Sequence, residues 1–127
     1  MILRISSTVA RGDENMRVLI IEPLKEPYVK DIDGSLETMQ KIVGGTIQAL
    51  YPFDNPIALV CNDDGKLLRL PLNRALFDEQ GNIYDIIAGT FFICAAPSDS
   101  DSFASLTDEQ IKKFSKRFDA MEFYLKL

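Results

Sequence analysis

The chain contains no histidine and no tryptophan. Without histidine it lacks the commonest acid–base group near neutral pH and the commonest protein metal ligand. Only two cysteines occur, Cys61 and Cys94, and they form no CxxC pair. Zinc is therefore not expected, and both cysteines, lying in apolar runs, read as small buried hydrophobes rather than as a disulfide. No apolar stretch is long enough to span a bilayer. The N-terminus, Met1-Ile2-Leu3 followed by Arg4 and a polar run, lacks the apolar core of a secretion signal. Positive charge is also scarce, with 14 Lys and Arg against 19 Asp and Glu, for a net charge of -5. That argues against binding nucleic acid by phosphate neutralisation. The acids mostly sit beside bases and are too dispersed for a DNA mimic. The expectation from these absences is a cytoplasmic protein with no metal, no cofactor, and no nucleic-acid or membrane partner.

What is present is an ordinary globular composition, enough for one core in 127 residues. Residues 1–15 are polar and turn-rich, and read as a leader, with Met16 as a natural start of the domain over 16–127. An Arg-Gly-Asp triplet at Arg11 to Asp13 is taken as chance. The organising stretch is Asp33 to Gly45. Asp33 or Ser35 can cap a helix whose Leu36, Met39, Ile42 and Val43 share one face. Gly44-Gly45 ends it; a phosphate-cradling loop would need glycines before a helix, not after one. A helix this short must lay its stripe on something apolar.

Strands are expected around it. Met16 to Pro23 and Tyr28 to Ile32 form a hairpin, with Tyr28, Lys30 and Ile32 on one side and Val29 and Asp31 on the other. Thr46 to Phe53 and Ile57 to Cys61 follow. Asn62-Asp63-Asp64-Gly65 is a strong turn signal, with Lys66 to Leu70 as the return strand. Leu72 to Leu76 reads as a turn or one helical twist, Ile83 to Gly89 as a helical turn capped by Gly89, and Thr90 to Ala95 as a strand. Pro97 to Ser105 reads as a mobile loop.

A second helix opens with the capping box Thr107-Asp108-Glu109-Gln110, and Leu106 and Ile111 sit at staple positions. Its stripe, Ile111, Phe114, Phe118, Met121 and Leu125, either docks on the sheet or pairs across a dimer. Docking is favoured because the repeat is too short for a coiled coil. Lys112, Lys113, Lys116 and Arg117 line the wet face, where an acidic partner or plain solvation are the alternatives. The fold class is α+β: a small, mostly antiparallel sheet, β-grasp-like in order, with a short central helix and a C-terminal one.

No residue pattern selects a catalytic set. Asp63-Asp64 lacks the rest of a calcium loop, and Cys61 has no base beside it. The most suggestive polar group is Asn73-Arg74. It forms either an anion-binding corner with Tyr51, or a structural tie from Arg74 to Asp85 or Asp78. Asn73, Arg74, Tyr51 and Asp85 are thus the candidate ligand-binding residues, with no catalytic and no metal-ligating residue assigned.

Several stretches carry a family resemblance. They are Val18 to Pro23, Glu26 to Val29, Asp33 to Glu37, Val43 to Gly45, Tyr51 to Phe53, Leu70 to Leu76 and Tyr84 to Phe91. From Met16 to about Ile93 the chain resembles the bacterial domain of unknown function family 3846. The resemblance implies a short cytoplasmic protein of Gram-positive bacteria, often carried by phages or conjugative elements, and brings no catalytic residues with it. The expected role is a non-enzymatic accessory protein that binds a protein or small ligand, as a monomer or as a dimer through the C-terminal helix. The alternatives are an enzyme using carboxylates and Arg74 on a phosphorylated or nucleotide-like ligand, and an inhibitor of a host defence protein.

Overall fold

A computed structural model of the chain describes residues 2–3, 15–54 and 56–120. The expected leader, apart from Ile2, Leu3 and Asn15, lies outside the described residues, as do Met121 and Leu125. Three central strands are apolar almost throughout: β2 (Asn15–Ile21), β5 (Ile57–Asn62) and β8 (Phe91–Ala95). Such runs belong to strands covered on both faces. Together with β1 (Ile2–Leu3), β3 (Tyr28–Asp33) and β4 (Ile47–Leu50) they make a six-stranded sheet in the order β1-β4-β5-β8-β2-β3. Every pairing in it is antiparallel, including the central β2–β8 pair. The expected hairpin, the short central helix and the strands at Ile47–Leu50, Ile57–Asn62 and Phe91–Ala95 are present in an antiparallel α+β arrangement.

One face of the sheet carries α1 (Leu36–Val43). Ser35 caps it by accepting from the Thr38 amide at 3.1 Å, and Gly44 ends it at φ 82, donating to the Gln40 carbonyl at 2.8 Å. Met39 and Val43 are buried, and Leu36 and Ile42 pack beside them against Met16, Val18, Ile20, Val60 and Phe92. The apolar stripe is therefore sealed by the sheet.

The other face carries α2 (Asp108–Arg117) and a separate two-stranded sheet, β6 (Leu72–Phe77) with β7 (Ile83–Ala88). Both halves of the capping box form, with the Gln110 amide donating to Thr107 Oγ1 at 3.1 Å and the Thr107 amide to Gln110 Oε1 at 2.9 Å. Phe114 and Phe118 are buried against Leu19, Leu59, Phe91 and Ile93, with Leu106 and Ile111 in the same cluster. The described part of the stripe, Ile111, Phe114 and Phe118, docks on the sheet as expected. The segment entering α2 is itself pinned to β2: the Leu106 amide donates to the Arg17 carbonyl at 3.0 Å, and the Arg17 amide to Ser105 Oγ at 2.9 Å.

Three expectations are corrected. Lys66 to Leu70 is not a return strand. Asn62 Oδ1 captures the Asp64 amide at 2.7 Å, and the carbonyls of Asp64, Gly65 and Lys66 capture the amides of Leu68, Leu70 and Arg69. The chain therefore winds, with Arg69 in the left-handed region at φ 57 and Leu67 83% exposed. Leu72 to Leu76 is a strand rather than a turn, and Ile83 to Ala88 is its partner rather than a helical turn. A register shift between Leu72 and Arg74 leaves Asn73 as the extra residue of a β-bulge, which hid the period-two pattern. Gly89 takes the left-handed conformation, at φ 85, but it closes the turn into β8. The Ser-rich segment after Pro97 is held at its end by paired backbone bonds between Ala95 and Ala104.

Candidate functional site

The bulge places Asn73 and Arg74 in the interior, each 1% exposed. Asn73 Nδ2 donates to the carbonyls of Ile21 and Gly89, both at 2.9 Å. Its Oδ1 accepts from Arg74 Nη1 at 2.8 Å. Arg74 Nε donates to the Phe118 carbonyl at 2.9 Å, Nη2 to the Lys25 carbonyl at 2.7 Å, and Nη1 also reaches the Glu22 carbonyl at 3.5 Å. The planar guanidinium fans its donors over two main-chain segments and the Asn73 side chain. It joins the hairpin loop after β2, the bulge in β6 and the end of α2. Among the described residues it donates to carbonyl oxygens, with no bond to Asp85 or Asp78.

The other two candidate residues stand apart from this junction. Asp85 Oδ1 accepts from Lys66 Nζ at 2.6 Å, at the mouth of a cleft of about 170 Å³ between β5 and β7. Tyr51 packs against the α1-side cluster, on the opposite face of the sheet from the Arg74 contacts with α2. Burial holds its hydroxyl above the usual tyrosine range. Thus only Asn73 and Arg74 come together.

The thiols are inert by the same physics. Burial pushes Cys61 up to about 12, and Cys94, fully enclosed in β8, higher still. They are free and buried, as expected. Among the described residues no group of three or more His, Cys, Asp or Glu side chains is placed to hold a metal ion.

The concave surface with the richest chemistry lies on the α1 face. An eight-residue helix spans about 12 Å, too little to cover six strands spaced about 4.8 Å apart. α1 sits over β4 and β5, leaving a groove of about 590 Å³ between itself and β2–β3. Ile20 and Ile32 form the apolar floor, with Ile42, Thr38 and Lys41 on the helix wall and Tyr28, Lys30 and Thr90 on the far side. The Tyr28 hydroxyl donates to Glu22. Desolvation and that bond push Tyr28 up to about 12, and the Tyr28 bond in turn holds the Glu22 carboxyl below its ordinary value.

The groove's other acids are also engaged. Asp33 accepts from the Ser35 amide and hydroxyl, and Asp31 lies 3.7 Å from Arg17. Lys30 and Lys41 make no ion pair among the described residues. Beside the groove runs β3, the outer strand of the sheet, with β2 its sole strand partner among the described residues. Tyr28 and Val29 on it are 40% and 46% exposed. The sequence signal for this surface was the alternation of Tyr28, Lys30 and Ile32, read there as a strand pattern only.

The family described as Domain of unknown function (DUF3846) matches residues 16–119. The chain belongs to this family. The matched span in this DUF3846 protein takes in β2 through the end of α2, so both ends of the Arg74–Phe118 bond fall inside it. The groove residues Tyr28, Lys30, Lys41 and Thr90 do as well. Comparisons with curated proteins and with solved structures return no match.

Proposed function

We propose that this DUF3846 protein is a non-enzymatic binding protein of the cytoplasm, an accessory factor of mobile genetic elements. In this reading it holds an extended segment of a partner protein along β3 and the neighbouring groove. The observation that carries the reading is the position of β3: an outer strand with exposed Tyr28 and Val29, flanking an apolar-floored groove. An added peptide strand draws affinity from main-chain bonds to such an edge and specificity from pockets for alternate side chains. Lys30, Asp31 and Asp33 on the same strand oppose indiscriminate pairing. Lys30 and Lys41 favour a segment with acidic side chains.

The mobile-element setting rests on the family resemblance alone. The enzyme alternative needs Arg74 as its cation, and a guanidinium turned to main-chain carbonyls favours the binding reading instead. Inhibition of a host defence protein is one form that such binding takes. The test is selection of peptides from a random library on the immobilised full chain. Selected peptides are expected to lose about tenfold in affinity to Tyr28→Ala or Val29→Lys. Peptides that bind both variants as they bind the unaltered chain contradict the reading.

A further inference from the structure

A second surface, on the opposite side of the molecule, has a different character. Phe77 at the end of β6 is 40% exposed, and Tyr84 on β7 is 51% exposed. Both line a cleft of about 540 Å³ against α2, whose inner end is closed by Phe53 and Phe114. Phe53 stacks edge-on to Phe114 at 4.8 Å between ring centres, and the Arg117 guanidinium lies over the Phe53 ring, 5.1 Å from its centre. Exposed aromatics beside a stacked arginine are the composition enriched at the centres of protein interfaces.

The two walls of this cleft carry opposite charge. The α2 wall presents Lys113 and Arg117, with Lys112 and Lys116 exposed one step round the helix. The wall on the side of β6 and the chain before β5 presents Asp54, Asp78 and Glu79. Among the described residues no ion pair joins Arg117 to any of these three acids. A two-fold axis through the aromatic strip would exchange the walls, setting the basic helix of one copy against the acidic rim of the other, twice. Such a patch is complementary to itself, which is the requirement for an isologous dimer. A partner of a single charge would meet one favourable wall and one repulsive wall.

We infer that the occupant of this cleft is a second copy of the same chain, with Phe77 and Tyr84 at the centre of a two-fold interface and α2 packed against the partner's β6–β7 turn. The inference is independent of the β3 edge, which stays open in such a dimer.

Sedimentation equilibrium of the full chain from about 1 µM to 1 mM tests it. A monomer–dimer equilibrium is expected, weakened by salt. Lys113→Glu with Lys116→Glu should raise the dimer Kd by about tenfold or more, and so should Asp54→Lys with Glu79→Lys. All four positions are surface sites, and unchanged melting temperatures exclude unfolding as the cause. Mixing the two variants should restore a dimer, because each altered wall then meets its complement. Tyr84→Ala should weaken association without responding to mixing. A chain monomeric throughout the range overturns the inference. So does a dimer indifferent to both charge variants, or a mixture that stays monomeric.

Discussion

Arg74 shows how a residue that looks like a ligand-binding group can be internal framework. A buried cation is costly unless every donor is satisfied, and removing one side of a buried charged network leaves its partners unpaired. Arg74→Ala strips donors from the carbonyls of Phe118 and Lys25 and leaves a cavity. The expected loss is about 3–5 kcal/mol in urea denaturation. Lys at this position recovers only part of it, since one ammonium cannot span the same partners. Desolvation of Tyr28, together with its bond to Glu22, gives a pH signature. Tyr28 is raised in the fold from its ordinary 10.0 to about 12, so its contribution is fully present below pH 10 and is lost as pH rises from 10 towards 12. Glu22 is lowered from 4.5, so its contribution is present above that value and is lost as pH falls through the lower folded value. Tyr28→Phe should remove the alkaline loss and cost under about 1 kcal/mol at pH 7 at this half-exposed site. Denaturation midpoints at pH 7, 9.5 and 11.5 check it.

At the scale of elements, the small sheet and the large one meet closely where Gly65 faces Ala88. A Cβ at Gly65 would lie 2.7 Å from the Ala88 carbonyl oxygen, a main-chain atom that cannot rotate away. Gly65→Ala should therefore separate β7 from the turn after β5 and cost about 2 kcal/mol or more, read from the melting temperature. Gly44→Ala meets no atom within 4 Å and is strained only through its φ of 82, so its cost should be smaller, about 1 kcal/mol. These same elements mark where the sequence was legible. Helix α1 was readable to within a residue or two because Ser35, the Leu36–Met39–Val43 stripe and Gly44 all agree. Helix α2 was readable because Thr107 and Gln110 form a reciprocal cap. The β6–β7 pair was not. Asn73 interrupts the alternation of β6, and its reason for being there is a pair of carbonyls, Ile21 and Gly89, distant in sequence. The winding of Leu67-Leu68 was hidden because Asp-Gly ordinarily announces a hairpin, while here Gly65 serves a close approach.

At the scale of the whole molecule, the main sheet is covered twice, by α1 on one face and by α2 with β6–β7 on the other. The polar residues that stand out in the sequence are used to join these layers: Asn73 and Arg74 internally, and Asn62, whose Nδ2 donates to the Val43 carbonyl at 3.1 Å, at the end of α1. The candidate site was legible only in part for this reason. A sequence shows that an arginine lies between apolar neighbours, but not which carbonyls the fold will bring to it. In the proposed binding role, recognition falls to the surfaces the layers do not cover, chiefly the outer strand β3 with its groove. Amide hydrogen exchange of the full chain, with and without a library-selected peptide, measures this most directly. Slowed exchange is expected in 28–33 and the facing turn of α1, with 73–74 unchanged. Protection centred on Asn73 and Arg74, with β3 unaffected, would contradict it.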